Sequence, residues 1–243
     1  MGRSAETRDS TDGIWSIALL GRFAVWSDGK LLDLPTDSQR LVAFLALQSG
    51  RVPRAYVAGT LWLDASQERA FGNLRSALWR LRRETETLID ADSQTLEVNP
   101  RAVVDIATVT RSADRLCASA TECSEHDVDP TPFTKEFLPG WYDEWTVVHR
   151  ERLRQRSLHA LEAIAEHLTE MGRHSEAIQA ALAAIEIDTL RETPHRCLIS
   201  THIAEGNYSE AVSHYNQYRD DLRRDLGIAP SPRIQALVEQ VTL

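Results

Sequence analysis

The stretch Asn73 to Arg83, NLRSALWRLRR, places four arginines in eleven positions of a chain whose formal net charge is −9. At roughly 100° per residue, Leu74, Leu78 and Leu81 fall on one stripe, so the segment reads as a helix that buries leucine. Phe71 sits at the edge of that stripe, and the opposite face collects Arg69, Asn73, Ser76, Arg80 and Arg83. Arg75 and Arg82 fall nearer the stripe, where long cationic side chains lie along apolar surface with their heads in water. Trp79 falls on a flank, a packing position. No acidic residue stands between Arg69 and Arg83, so ion pairs along the helix do not account for the cations. Arginine suits guanine, asparagine suits adenine, and serine or further arginine suits phosphate; this is the side-chain set of a helix lying in the major groove.

The flanking sequence supplies a setting for that helix. Ser66 is placed to cap it, and the helix is expected from Gln67 to about Glu86. Pro53 can open a shorter helix running to about Trp62, at the spacing of a helix-turn-helix unit, with Arg51 and Arg54 at its start. Candidate DNA contacts are therefore Arg51, Arg54, Arg69, Asn73, Ser76, Arg80 and Arg83. Upstream, Leu41, Phe44, Leu45 and Leu47 with Gly50 beyond them describe another helix starting near Thr36. Before it, WSIALLGRFAVW, SDGK and LLDLP read as short strands, with Asp28-Gly29 supplying the positive φ of a tight hairpin. Downstream, LIDADSQTLEVN reads as two strands around a polar turn. The order is strands, three helices, hairpin.

From Asp105 strand signals are scarce. Residues 118–135 are polar and proline-rich and read as a loop, and beyond Trp141 the pattern is helical, with breaks expected at Gly172, Thr193-Pro194, Gly206 and GIAPSP. MGRHSEAI at 171–178 recurs as EGNYSEAV at 205–212, which sets Gly172 and Gly206 34 residues apart. That is the tetratricopeptide period, in which small residues let paired helices approach. Ala165, Gly172, Ala177 and Ala184 fill the small positions of the first unit; Gly206, Tyr208, Ala211 and Tyr215 fill the corresponding part of the second. Ser231-Pro232 is expected to open a closing helix.

Composition bounds the function. Residues 1–104 carry 13 basic and 13 acidic side chains, whereas residues 105–243 carry 14 and 23, so all of the net −9 lies in the second part. A neutral front part with clustered arginines suits a polyanion; the back part would be repelled by one. The longest apolar run is the seven residues from Leu41 to Leu47, far short of a membrane span, and the opening residues lack the apolar core of a secretory signal. Three cysteines leave one unpaired under any disulfide scheme, which suits the cytoplasm. The spacing of Cys117, Cys123 and His126 fits none of the usual structural zinc sites, so no metal is expected. Neither phosphate-cradling glycine motif occurs, no cofactor is expected, and no set of carboxylates or histidines converges as an enzyme site requires. Neither a nucleotide-hydrolysing module nor a receiver domain is expected within these residues.

LWLDASQERAFGNLRSALWRLRR and the strands before it resemble the OmpR-type winged helix of the Streptomyces antibiotic regulatory proteins. FLPGWYDEWTVVHRERLRQRSLHALEAIAEHLTEMGRHSEAI and DLGIAPSPRIQAL resemble the bacterial transcriptional activator domain that follows it in that family. The resemblance implies an α+β winged helix-turn-helix domain over 14–104 after a disordered tail over 1–13. An all-α tetratricopeptide-like domain would follow over 105–243. It further implies a transcription activator, not an enzyme, that binds direct repeats in double-stranded promoter DNA beside a second protomer. Such a protein recruits RNA polymerase holoenzyme, including its sigma factor, often for a secondary-metabolite (antibiotic) gene cluster. One feature departs from the pattern: the turn Asp90, Ala91, Asp92, Ser93, Gln94 offers no cation to the minor groove, and Arg101 is the only nearby substitute. The other function class open at this stage is a tetratricopeptide-type interaction scaffold or ligand sensor whose winged helix binds protein.

Overall fold

In the computed structural model of the chain, residues 15–85, 87–118 and 129–241 are described. The expected tail over 1–13 lies outside them, as do Cys123 and His126 and most of the expected 118–135 loop. The chain divides into two units, Met1–Ala107 with Phe137–Val147, and Thr108–Glu136 with Val148–Leu243. The first unit thus includes a stretch, 137–147, that the sequence assigns to the second.

The first unit opens with β1 (Trp15–Ala18), β2 (Ala24–Ser27) and β3 (Lys30–Leu31). Trp26 pairs with Leu31 and Ser27 with Lys30, leaving Asp28 and Gly29 as the two turn residues, at φ 49° and 79°. Both central residues at positive φ match the right-handed strand twist, as the Asp-Gly pair leads one to expect. Three helices follow, α1 (Thr36–Ala46), α2 (Arg54–Leu61) and α3 (Gln67–Glu84), with the short strand β4 (Val52–Pro53) before α2. The hairpin β5 (Ile89–Ala91) and β6 (Thr95–Val98) comes next, then β7 (Val103–Val104). The sheets run β3-β2-β1-β7, with β7 parallel to β1, and β4-β6-β5. Alternation on β1 buries Trp15 and Ile17. Its end is held by Asp105, whose carboxylate accepts from the Leu19 amide at 2.9 Å and the Leu20 amide at 3.0 Å.

Residues 137–147 complete this core. Phe137 pairs with Leu20 as an isolated β-bridge, the Leu138 amide donates to the Leu19 carbonyl at 2.9 Å, and both side chains are buried. Trp145 meets Phe44 of α1 edge-on at 5.5 Å, while Trp141 lies 5.6 Å from Phe23. The Arg40 guanidinium pairs with Asp143 and donates to the Leu61 carbonyl at 2.7 Å. Without this segment Leu19, Leu20 and Phe44 would lose apolar cover, each buried side chain contributing about 1.5–3 kcal/mol.

The second unit is helical. It takes most of α4 (Asp105–Ala118) and of α5 (Glu144–Glu170), a 3-10 turn at Thr131–Thr134, and α6 (His174–Ile187), α7 (Glu192–Glu205), α8 (Tyr208–Asp225) and α9 (Pro232–Glu239). The 34-residue period is visible in the backbone. The Gly172 amide donates to the Thr169 carbonyl and the Arg173 amide to that of Leu168; Gly206 to Ile203 and Asn207 to His202 repeat the pattern in register. Both glycines lie at positive φ, 75° and 85°, which such a helix stop requires. Ala177 and Ala211, also 34 apart, are fully buried, as are Ala165, Ala180, Ala181 and Ala184, so the helices meet over small residues. Tyr208 departs from its expected place in the packing pattern and is exposed. The break expected at Thr193-Pro194 falls earlier, at 188–191. Pro194 sits in the first turn of α7, where a missing N–H costs nothing. The Ser231 amide donates to the Glu192 carboxylate at 2.8 Å, tying the start of α9 to that of α7.

Phe137→Ala should therefore destabilise the first unit by about 3–5 kcal/mol, the usual cost of emptying a buried aromatic site. Native-state hydrogen exchange of the β1 amides would report it. Exchange unchanged from wild type would mean that 137–147 is not part of that core.

Candidate nucleic-acid interface

The helix pair α2 and α3 is set by its caps and its buried stripe. Ser66 accepts from the Arg69 amide at 3.4 Å, the cap expected from sequence. The buried side chains of α3 are Ala70, Leu74, Ala77, Leu78 and Leu81. The two alanines matter because Ala77 lets α1 come close enough for the buried Ser38 hydroxyl to donate to the Ala77 carbonyl at 3.1 Å. Adding the alanines to the leucine stripe turns the buried axis by roughly 20° on a 3.6-residue helix. The outward line then becomes Gly72, Ser76, Trp79 and Arg83, with Arg69, Asn73 and Arg80 on one flank and Arg75 and Arg82 on the other.

Arg75 and Arg82 are exposed beside Leu78, as expected of long cationic chains at a core edge. The rotation corrects one sequence expectation. Trp79, expected to pack on a flank, is 61% exposed near the centre of the outward face. Its ring carries the Arg83 guanidinium 5.2 Å from the centroid, a cation–π contact. Gly72, Arg75, Ser76, Trp79 and Arg80 line a shallow depression of about 480 Å³ on this face. A second, of about 330 Å³, lies between α3 and the hairpin and brings together Arg54, Arg75, Arg82, Leu78, Trp79, Ala91 and Asp92. Only counting alanine with leucine would have found these residues from the sequence.

The candidate contacts divide accordingly. Ser76 and Arg83 are exposed on the outward line, and Asn73 is half-buried on its flank. Arg80 is exposed, with Asp37 of α1 4.0 Å away, an acid that reading α3 alone does not reveal. Such an exposed pair is weak and yields readily to a stronger anion. Arg69 is exposed further along and lines a different cleft, with Arg40, Trp62, Leu63 and Asp143. Arg54 donates from Nη1 to the Asp92 carbonyl at 2.9 Å, which leaves its charge uncompensated by that contact.

Arg51 is otherwise engaged. It pairs with Asp90, with Asp92 at 2.9 Å and with Glu97 at 3.6 Å, and donates to Thr95 Oγ1 at 3.3 Å. The acidic hairpin thus holds its own cation: Arg51 is exposed but already paired with carboxylates. Asp92 is also what shapes the turn. Its carboxylate accepts from the Gln94 and Thr95 amides and from the Thr95 hydroxyl, all at 2.7 Å. These bonds, the Thr95 hydroxyl first, with a lesser pull from Arg51, bring its pKa from 3.8 down to about 2. A folded pKa below the unfolded one means that the carboxylate's support for the turn is complete above about pH 4. It is lost as pH falls through 2. Asp92→Ala should speed amide exchange at Gln94 and Thr95, whereas Asp90→Ala, which removes only a partner of Arg51, should leave both slow. Equal effects from the two substitutions would mean that the turn rests on the ion pair instead.

Elsewhere, among the described residues, no group of three or more His, Cys, Asp or Glu side chains is arranged to hold a metal ion, and no helix is long and apolar enough to cross a membrane. Cys197 is buried, and burial pushes its thiol up to about 12, which keeps it unreactive.

Residues 132–242 match the bacterial transcriptional activator domain. The chain is 27% identical over 254 residues to the regulatory protein AfsR of Streptomyces coelicolor, an alignment covering 99% of this chain and 25% of that protein. It is 24% identical over 238 residues to AfsR of Streptomyces griseus, covering 92% of this chain and 24% of that protein. The chain therefore spans about a quarter of the length of these curated relatives. Among solved structures it superposes on Mycobacterium tuberculosis EmbR, solved in complex with a low-affinity phosphopeptide. The TM-score is 0.78 and the identity 19%, over 95% of this chain and 65% of that one. Residues 132–242 thus carry the bacterial transcriptional activator domain, and the chain as a whole is similar to the AfsR regulatory proteins in sequence and to EmbR in fold.

Proposed function

We propose that the chain is a sequence-specific activator that lays α3 in the major groove of promoter DNA. The observation that carries this reading is the outward face of α3, where Arg75, Arg80, Arg82 and Arg83 stand exposed around Ser76 with no carboxylate of the helix among them. In this reading Arg80, with Asn73 and Ser76, meets base edges, and Arg83 sits at the far end of the same line. Arg54, Arg75 and Arg82, gathered between α3 and the hairpin, grip the phosphate strand on that side. They supply the cations that the acidic turn lacks, and the turn need not enter the minor groove. Arg69, nearer the helix start, takes a phosphate on the other strand.

The second unit and the acidity of the back part serve protein contacts in this proposal. The partners are a second protomer on an adjacent direct repeat and RNA polymerase holoenzyme with its sigma factor, at promoters of a secondary-metabolite gene cluster. Half-sites about one helical turn apart would put both protomers on one face of the duplex.

Titrating the full chain with the duplex enriched from a random pool, and with a scrambled duplex, at several salt concentrations tests the reading. Arg80→Ala should lower the operator-to-scrambled ratio by about 1–3 kcal/mol. Arg75→Ala and Arg82→Ala should weaken both duplexes alike and flatten the salt dependence by about 0.9 in log–log slope each. Affinity indifferent to salt, or an Arg80 variant with an unchanged ratio, would count against it.

A further inference from the structure

The outward line of α3 contains one side chain that the arginine reading does not use. Trp79 is 61% exposed, and the apolar residues that line the adjoining depression with it are Leu78 and Ala91. Below it on the same line stand Gly72 and Ser76, the two smallest side chains of the outward face. A Cβ built on Gly72 would meet nothing nearer than the Arg75 guanidinium at 3.8 Å, so the space over this part of the helix is open. A helix with its side chains is about 10–12 Å across and the major groove about 12 Å wide, so a helix lying at the groove floor needs small residues where backbone and bases are closest. The indole then projects from the next turn along the same line. Arg83, over the ring at 5.2 Å, restricts its rotation and fixes one ring face.

We propose that Trp79 determines specificity by packing its ring against a thymine methyl in the major groove. This inference rests on the DNA-binding reading given above. The chemistry selects the target. An indole has a large apolar surface and a single N–H donor, with no acceptor, so it cannot receive the amino protons of cytosine or adenine. The C5-methyl of thymine is the one apolar group that a base pair presents in the major groove. Arg83, already stacked on the ring, carries its charge to the phosphate beside that base. Trp79 therefore favours a thymine within the half-site and disfavours a cytosine there, whose amino group the ring would cover without offering it an acceptor.

Replacing thymine by deoxyuridine removes the methyl and nothing else, which makes it the probe. The full chain would be titrated with its enriched duplex and with a series carrying deoxyuridine at each thymine in turn. At one or two positions per half-site the wild type should lose about fourfold in affinity, the value of burying one methyl group. Trp79→Ala should bind the thymine duplex more weakly than wild type and be indifferent to uracil at those positions. Its circular dichroism should stay as in wild type, and its affinity for the scrambled duplex should fall less than its affinity for the thymine duplex. Trp79→Phe, which keeps an apolar ring and drops the N–H donor, should retain most of the uracil sensitivity. A wild type indifferent to uracil everywhere, a Trp79→Ala variant that remains fully sensitive, or a Trp79→Phe variant as insensitive as alanine would overturn the proposal while leaving DNA binding intact. A wild type that enriches no duplex and shows no salt-dependent binding would overturn the DNA reading and this inference with it.

Discussion

The hydrogen bond from the Ser38 hydroxyl to the Ala77 carbonyl fixes how α3 is turned about its own axis. It requires close approach of α1, and only a small residue at 77 permits that. Around it Ala70, Leu74, Leu78 and Leu81 bury the rest of the stripe. Once this face is committed, 100° per residue dictates everything on the other side, so Trp79 and Arg83 stand outward and Arg75 and Arg82 turn toward the hairpin. A leucine at 77 would push α1 away and rotate a different set of cations to the surface. The packing of a few small buried atoms thus decides which charges can meet a ligand.

Two aspartates in the wing of a winged helix would repel a polyanion were they left unpaired. Asp92 is the acceptor on which the turn closes, taking three bonds from Gln94 and Thr95. Its remaining charge, with that of Asp90, is met by Arg51. The hairpin is therefore internally compensated in part, and Arg54 lies over the turn, held through a backbone carbonyl and not a carboxylate. That distinction matters electrostatically. An arginine bound to a carbonyl keeps its full charge for an incoming phosphate, whereas one bound between carboxylates does not.

Much of this architecture was legible in the sequence because the signals were local. Asp28-Gly29 specifies a hairpin turn, Ser66 caps the helix that follows it, and Gly172 and Gly206 mark the repeat, each through backbone conformations or bonds spanning a few residues. What was not legible depends on distant partners. Arg51 meets Asp90 and Asp92 some 40 positions later, and Arg80 faces Asp37 across two helices. The return of 137–147 to the first unit follows from apolar residues whose destination no local pattern reveals. Trp79 was misplaced for a smaller reason: alanine carries little hydrophobic weight, yet two alanines on the buried stripe were enough to turn the face.

The most direct measurement is a structure of the full chain on the duplex it enriches from a random pool. The account predicts α3 lying in the major groove with Gly72, Ser76 and Trp79 against the base edges. Arg54, Arg75 and Arg82 should lie on one phosphate strand, and Arg51 should still be held by Asp90 and Asp92. A duplex seated on any other surface, with the outward line of α3 left facing solvent, would contradict it.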